Sequence, residues 1–259
     1  MTQLYKLIIL STILTSCLNH KTATTLQTIN KTYDFKLDNV EIFDNARNRK
    51  IPVAFYFPKT GQEIKNQQII IFSHGYGQNK GGNNLVYSYL TENLASKGYY
   101  VVSIQHELPT DELLPMKGNL QIVRRPNWER GVENILFVLK KMKEIKPNLD
   151  YRHLTLIGHS NGGDMTMLFA NKYPELVNKV ISMDNRRMPL PKLFKPKIYT
   201  LRSNDFPADE GVLPTSEEQI KYKITIQPTN INHSSMDNEA TMEERKIINR
   251  YIEKYLTEK

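Results

Sequence analysis

The chain has a single cysteine among its 259 residues, so it cannot form an intrachain disulfide. It also lacks a basic block interleaved with aromatic residues, because the lysines behind its net charge of +8 are spread along the chain. This dispersal is typical of a solvated surface and argues against a nucleic-acid-binding protein. The histidines and the cysteine lack the spacing of a metal site, and no phosphate-cradling or dinucleotide-binding glycine loop is present. We therefore expect no metal and no cofactor.

The N-terminal residues predict export. Lys6 precedes a short apolar run, residues 7–14, which is too short to span a bilayer as a mature helix and leads into small polar residues, as in a secretory signal. The run ends in Leu-Thr-Ser-Cys17, which resembles the lipobox of bacterial lipoproteins, where the cysteine is acylated. A soluble secreted protein is the alternative. The sequence thus predicts an exported protein of the bacterial cell envelope that is held on a membrane through Cys17.

Three regions follow from this prediction. Residues 1–17 form the lipoprotein signal peptide, and residues 18–31, rich in Thr, Asn, Gln and Lys without periodicity, form a flexible tether. Residues 32–259 form one domain, in which 39% hydrophobic residues over the whole chain allow a buried core.

The domain begins with two β-rich runs, residues 35–43 and 51–57, which the turn residues between them join into a predicted antiparallel hairpin. Strands and helices then alternate, and this alternation specifies a mostly parallel central sheet with helices on both faces. The predicted strands are 68–73, 99–104, 154–157, 179–183, 198–201 and 222–227, and the main helices are 85–97, 127–146, 164–172 and 241–256.

The most informative motif is Gly158-His159-Ser160-Asn161-Gly162-Gly163, which lies between a predicted strand and a predicted helix. This context is that of a nucleophile elbow, in which a serine on a strained turn projects its hydroxyl from the top of an α/β-hydrolase sheet. The sequence therefore predicts an α/β-hydrolase fold with Ser160 as the nucleophile.

A serine nucleophile needs a base, and the base in turn needs an orienting acid. His233 is the only histidine that follows the elbow, and it comes just after the last predicted strand. Two aspartates at strand ends compete for the role of acid: Asp184 after the strand that follows the elbow helix, and Asp205 after the next strand, with Asp209 less favoured. An Asx turn or a helix cap is the alternative for any one of them.

The turn after residue 73 begins with His74 and Gly75, where this fold supplies one donor of the oxyanion hole. We expect the backbone N–H groups of Tyr76 and Asn161 to be the two donors. His74 and His159 are expected to be structural.

The runs from Ile71 to Gly77 (IFSHGYG) and from Leu94 to Tyr99 (LASKGY) resemble the platelet-activating-factor acetylhydrolase group, as does the elbow. In that group the acid ends the strand after the elbow and a proline follows five residues later. Asp184 and Pro189 match this spacing, so the resemblance favours Asp184. Asp205 is similar to the acid of dienelactone-hydrolase-like relatives. The resemblance spans about residues 68–233.

Two further segments bear on the substrate. Residues 107–126 carry three prolines and a glycine within a mixed apolar stretch and predict a loop or small cap beside the site. Arg186 and Arg187 follow the favoured acid and suit a carboxylate or phosphate on the substrate, or else pair with Asp209 or Glu210.

These residues predict a serine hydrolase that cleaves a small ester through an acyl-enzyme on Ser160. A catalytically inactive binding lipoprotein and a serine peptidase on the same scaffold are the alternatives.

Overall fold

The computed structural model describes residues 32–258. The predicted signal peptide (1–17), its Cys17 anchor and the tether (18–31) lie outside the described residues and stay predictions. Within residues 32–258, no helix combines the length and the apolar character needed to cross a bilayer.

In the described part of the chain, eight strands form one sheet. They are β1 (Phe35–Asp44), β2 (Arg49–Pro58), β3 (Gln68–Ser73), β4 (Tyr100–Ile104), β5 (Asp150–His159), β6 (Lys179–Met183), β7 (Lys197–Arg202) and β8 (Thr225–Pro228). Their spatial order is β1-β2-β4-β3-β5-β6-β7-β8. Strands β3 to β8 are parallel, whereas β2 is antiparallel to both β1 and β4. The predicted hairpin and the predicted mostly parallel sheet are therefore both present.

Over the same residues, 32–258, six α-helices connect or follow the strands. They are α1 (Ser88–Ser96), α2 (Leu120–Val123), α3 (Arg125–Ile145), α4 (Ser160–Lys172), α5 (Ser216–Tyr222) and α6 (Met242–Thr257). Helices α3 and α4 contribute buried side chains to one apolar layer, and α1 and α6 contribute to the layer on the other face of the sheet. Because both faces are covered, a central strand such as β4 is buried along its whole length.

The last predicted strand, 222–227, is partly wrong. Tyr222 ends helix α5, Lys223 follows in the left-handed region, and β8 begins only at Thr225. The helix starts at a capping box in which Thr215 and Glu218 exchange side-chain to backbone hydrogen bonds. The Thr-x-x-Glu pattern at residues 215–218 is the local sequence signal for this helix.

The parallel strands bring their carboxyl ends to one edge of the sheet. The segments that follow β3, β4, β5, β6, β7 and β8 therefore meet there, and these segments carry every predicted catalytic and oxyanion residue.

Candidate active site

Ser160 lies at the junction of β5 and α4, with a left-handed backbone (φ 51°). Two glycines make this turn possible. A Cβ on Gly158 would lie 2.4 Å from the carbonyl oxygen of Gly162, and a Cβ on Gly162 would lie 2.3 Å from that of Ser73. The predicted elbow is thus a strained strand-to-helix turn packed against the end of β3.

A chain of hydrogen bonds joins three predicted catalytic side chains. His233 Nε2 lies 2.9 Å from Ser160 Oγ, and His233 Nδ1 lies 2.5 Å from Asp184 Oδ2. With the neutral imidazole protonated at Nδ1, the serine hydroxyl donates to Nε2 and Nδ1–H donates to the carboxylate. Ser160 and His233 are half-buried while Asp184 is fully buried, so the reactive end of the chain faces outward.

Asp184 is held as a carboxylate. Its oxygens accept hydrogen bonds from the backbone N–H of Ser203 at 3.0 Å and from its hydroxyl at 2.8 Å, and Arg202 Nη2 lies 2.9 Å from Oδ1. Burial alone would raise the pKa of Asp184, but the hydrogen bond from His233, the Arg202 charge and Ser203 outweigh it and lower that pKa. The lowered pKa keeps Asp184 ionised, so its carboxylate is available to orient His233.

Asp205 contacts His233 in a different way. Its Oδ1 accepts the backbone N–H of His233 at 2.8 Å, and Asp184 rather than Asp205 receives the imidazole. Asp209 donates its backbone N–H to Arg186 O. The structure therefore puts Asp205 in a backbone-anchoring position and leaves the orienting position to Asp184.

The two expected oxyanion donors lie on neighbouring turns. Asn161 is in the first turn of α4, where helix N–H groups have no intrahelical acceptor, and Tyr76 is in the turn after β3 that the elbow helix abuts at Gly162. The side-chain hydroxyl of Tyr76 accepts the backbone N–H of Leu114 at 3.0 Å and so ties this turn to residues 107–124.

His159 connects the oxyanion turn to the base. The hydroxyl of Tyr87 accepts the N–H of Gly75 at 3.0 Å and lies 2.7 Å from His159 Nδ1, while His159 Nε2 lies 3.0 Å from the carbonyl oxygen of His233. A carbonyl only accepts, so Nε2 carries the proton and Nδ1 accepts from Tyr87. Burial, reinforced by the nearby His233, lowers the pKa of His159 to about 3. His159 is therefore a neutral, structural bridge.

No protein-family model and no curated protein matches this sequence. Solved structures do match its fold. The esterase Est22 superposes with a TM-score of 0.65 at 11% identity, over 87% of this chain and 82% of that chain. A fungal esterase from Rhizomucor miehei gives 0.62 at 11% identity, over 87% and 84%. An acylaminoacyl peptidase of Pyrococcus horikoshii gives 0.58 at 15% identity, over 85% of this chain but only 41% of its own.

The chain has the α/β-hydrolase fold. The sheet order and the position of the elbow after β5 agree with this assignment. At such low identity the similarity extends to the fold, so the chemistry has to be argued from the site.

The α/β-hydrolase elbow here has a polar support that sequence reasoning missed. Asn161 Nδ2 donates to Glu107 Oε1 at 2.8 Å, and Asn161 Oδ1 accepts the indole N–H of Trp128 at 2.8 Å. Glu107 is buried, which raises its pKa, although His74 and Arg130 act against that rise. Because both ends of the Asn161 amide are held, its backbone N–H next to Ser160 has a defined direction.

The predicted loop beside the site, residues 107–126, ends at residue 124, because Arg125 and Pro126 already belong to α3. Within residues 107–124 the short helix α2 is the only regular element. Arg49 holds the loop from β2 through two 2.7 Å bonds to Asp111, and Arg124 Nε donates to Pro115 O at 2.8 Å. Leu113, Met116 and Ile122 on this segment are about two-thirds exposed (67%, 67% and 68%). The segment is a fixed rim with an apolar outer surface.

Within residues 32–258, no group of three or more His, Cys, Asp or Glu side chains is arranged to hold a metal ion. His159 and His233 serve the hydrogen-bond networks already described, and His74 bonds through Nδ1 to Gly75 O and through Nε2 to the N–H of His106. His106 Nε2 lies 3.0 Å from Ser73 Oγ, and His153 Nδ1 lies 2.6 Å from Asp150 Oδ2.

The neutral His159 predicts a pH dependence of stability. The folded chain keeps it unprotonated down to about pH 3, whereas the unfolded chain protonates it below its ordinary value of 6.5. Unfolding therefore takes up a proton below pH 6.5, and stability is expected to decrease as pH falls through that value. His159→Gln, which keeps a donor toward His233 O, is expected to lose roughly 2 kcal/mol less of its unfolding free energy between pH 7 and pH 5 than the wild type.

Urea denaturation of both proteins at these two pH values measures the difference. His106, also buried with a lowered pKa, stays in both proteins and so cancels in the comparison. Equal losses in the two proteins would show that His159 is protonated in the folded state.

Proposed function

We propose that this protein is a serine hydrolase that cleaves carboxylic esters through an acyl-enzyme on Ser160. The observation that carries the proposal is the continuous hydrogen-bonded chain from Ser160 through His233 to the buried carboxylate of Asp184. An isolated serine hydroxyl is a weak nucleophile, and this arrangement is the one that activates it. The esterases among the structural neighbours support the same class of reaction.

In the acylation step, Ser160 Oγ attacks the ester carbonyl carbon while His233 Nε2 takes the hydroxyl proton. The oxyanion that forms accepts hydrogen bonds from the N–H groups of Tyr76 and Asn161, and Asp184 stabilises the imidazolium. The tetrahedral intermediate then collapses. The bond to the alcohol oxygen breaks, His233 delivers its proton to that oxygen, and the alcohol leaves.

In the deacylation step, His233 takes a proton from water, and the hydroxide oxygen attacks the acyl carbon. The second tetrahedral intermediate expels Ser160 Oγ, which regains the proton from His233, and the carboxylic acid is released. Asp205 contributes by holding the His233 backbone through the 2.8 Å bond to its N–H. The base thus keeps one position through both steps.

Two finer assignments belong to the proposal. Within the superfamily, we place the chain nearest the platelet-activating-factor acetylhydrolase and dienelactone-hydrolase-like group, on the motifs around Ser73 and Ser160. We also propose that it is an exported lipoprotein of the cell envelope acylated at Cys17. Incorporation of labelled palmitate in the expressing cell, and its absence in Cys17→Ala, tests this location.

The activity is tested on a form beginning at Lys21. We expect labelling by a fluorophosphonate probe and turnover within a panel of p-nitrophenyl esters of increasing acyl length, with little turnover of peptide p-nitroanilides. Preferred cleavage of the anilides would instead indicate a peptidase. A folded sample that is neither labelled nor active on any ester would indicate a binding protein.

A further inference from the structure

Three arginines gather beside the proposed catalytic chain from two separate segments. Arg186 and Arg187 come from the loop after β6, and Arg124 comes from the junction of α2 and α3. Their charges act on one another: burial first, and then the charge of Arg187, lower the pKa of both Arg124 and Arg186. An arginine side chain keeps its positive charge in proteins, so the cluster is cationic.

Within the described residues these arginines have no carboxylate partner, although Arg124 donates through Nε to Pro115 O at 2.8 Å and through Nη2 to Met116 Sδ at 3.0 Å. Across residues 32–258, no carboxylate oxygen comes within 4.0 Å of a nitrogen of Arg124, Arg186 or Arg187. The charges of Asp164 and Asp209 act to raise the pKa of Arg124 and Arg186, yet neither aspartate forms an ion pair with these arginines. The Nε atoms of Arg186 and Arg187 are buried and have no hydrogen-bond partner among residues 32–258.

The expectation that Arg186 and Arg187 pair with Asp209 or Glu210 is therefore not met. Desolvating a guanidinium without a compensating carboxylate is costly, so such a cluster indicates a place for an anion.

The cluster adjoins the reacting groups. The guanidinium carbon of Arg186 lies 4.6 Å from the ring centre of Phe206, and that ring meets His233 edge-on with 6.2 Å between ring centres. One aromatic ring thus separates Arg186 from the proposed base. Both Arg186 and Arg187 are half-exposed, so a bound molecule can reach them.

The loop that carries two of these arginines is rigid. The N–H groups of Arg187 and Met188 donate to Asp164 Oδ1 at 3.0 and 2.8 Å, so the elbow helix itself positions the loop. Asn185 Nδ2 donates to Met188 O at 2.8 Å, and Arg202 Nη1 donates to Asn185 O at 2.6 Å. Because the backbone that carries Arg186 and Arg187 is already fixed, it loses little entropy when the two side chains bind a planar anion.

We propose that Arg124, Arg186 and Arg187 form a subsite for an anionic group on the substrate, so that the natural ester carries a carboxylate or phosphate away from its scissile bond. This inference rests on the proposed ester hydrolysis and names its substrate class. Guanidinium forks bind either anion in a bidentate manner, and the apolar rim beside them suits the chain that links the anion to the ester.

The test compares esters that differ only in the terminal group. One series consists of p-nitrophenyl monoesters of dicarboxylic acids from succinate to suberate, the second of neutral esters of equal chain length, and the third of the matching phosphonoalkanoic esters. We expect kcat/KM to favour an anionic series at a particular length. Preference for the dicarboxylic monoesters identifies the anion as a carboxylate, and preference for the phosphonoalkanoic esters identifies it as a phosphate.

Arg186→Gln and Arg187→Gln are each expected to lower the ratio of kcat/KM between anionic and matched neutral esters by about 10-fold or more. The wild-type ratio is also expected to fall with added salt. Arg152→Gln is the matched control, because it removes the same charge from an arginine paired with Asp150 near the start of β5, at the opposite end of that strand from Ser160. It is expected to keep the wild-type ratio.

The inference is overturned if neutral esters are hydrolysed but the ratio shows no anionic preference at any length, or does not change in the arginine variants. If no ester of any kind is hydrolysed, the proposed function fails by itself. The subsite is then decided by thermal shift with the free dicarboxylates and phosphonoalkanoates. A rise in Tm that is lost in Arg186→Gln and Arg187→Gln supports it, and no rise overturns it.

Discussion

Ser160→Ala is expected to lower kcat for p-nitrophenyl esters by about 10⁵- to 10⁶-fold, because the variant has no oxygen to form the acyl-enzyme. The remaining turnover reflects substrate binding and the oxyanion donors alone. Alanine has no side-chain group that could replace the lost bond to His233 Nε2, so the base is left without its proton source. Steady-state kinetics and loss of fluorophosphonate labelling measure the effect.

Ser88→Ala serves as the control for this experiment. Ser88 is the first residue of helix α1 and does not belong to the catalytic chain. Its Oγ donates to Asn238 Oδ1 at 3.3 Å. The control is expected to be labelled and active like the wild type. Undiminished labelling of Ser160→Ala would mean that another serine is the nucleophile, and the proposed mechanism would be wrong.

Asp184→Asn is expected to lower kcat by about 10⁴-fold. An amide does not stabilise the imidazolium, and an amide nitrogen facing His233 Nδ1 favours the tautomer that puts the proton on Nε2, where it blocks acceptance from Ser160. The substitution also leaves Arg202 without the charge that its Nη2 faces at 2.9 Å, so stability is expected to fall as well. Thermal denaturation measured beside the kinetics separates a loss of catalysis from a loss of fold.

Asp205→Asn is the matched comparison. An asparagine oxygen still accepts the backbone N–H of His233, which Asp205 accepts at 2.8 Å. We therefore expect kcat to change by only about a few-fold, since the imidazole keeps its orienting carboxylate. If Asp205→Asn lost most activity while Asp184→Asn kept it, the two aspartates would have to exchange roles.

The parts of the site that sequence could predict are those with local signals. The elbow is marked by a glycine-flanked serine between a strand and a helix. His233 is identified by elimination, because it is the only histidine that follows the elbow in the sequence. The residues alone left the choice between Asp184 and Asp205 open, because both follow strands whose carboxyl ends meet at the same edge, and only the family resemblance, through the spacing to Pro189, favoured Asp184. Spatial contact with the imidazole distinguishes them, and only the folded chain shows it.

The supporting residues were missed because they come from distant parts of the chain. Glu107 and Asn161 are 54 positions apart, and Tyr87 and His159 are 72 positions apart. Their contacts depend on how β3, β4 and β5 align in the sheet. Arg124 likewise comes from a distant part of the chain, yet lies close enough to Arg186 and Arg187 that, besides burial, their charges lower its pKa. No periodicity or motif in the sequence encodes these distances.

The chain contains one tryptophan, and its fully buried indole bonds to the residue next to the nucleophile. All intrinsic tryptophan emission of the folded protein therefore comes from Trp128, which contacts Asn161, the neighbour of Ser160 in the sequence. Acylation or inhibitor attachment at that serine changes the surroundings of a fluorophore that is already in place. The unlabelled protein thus carries its own optical probe for watching the covalent intermediate form and decay by stopped flow.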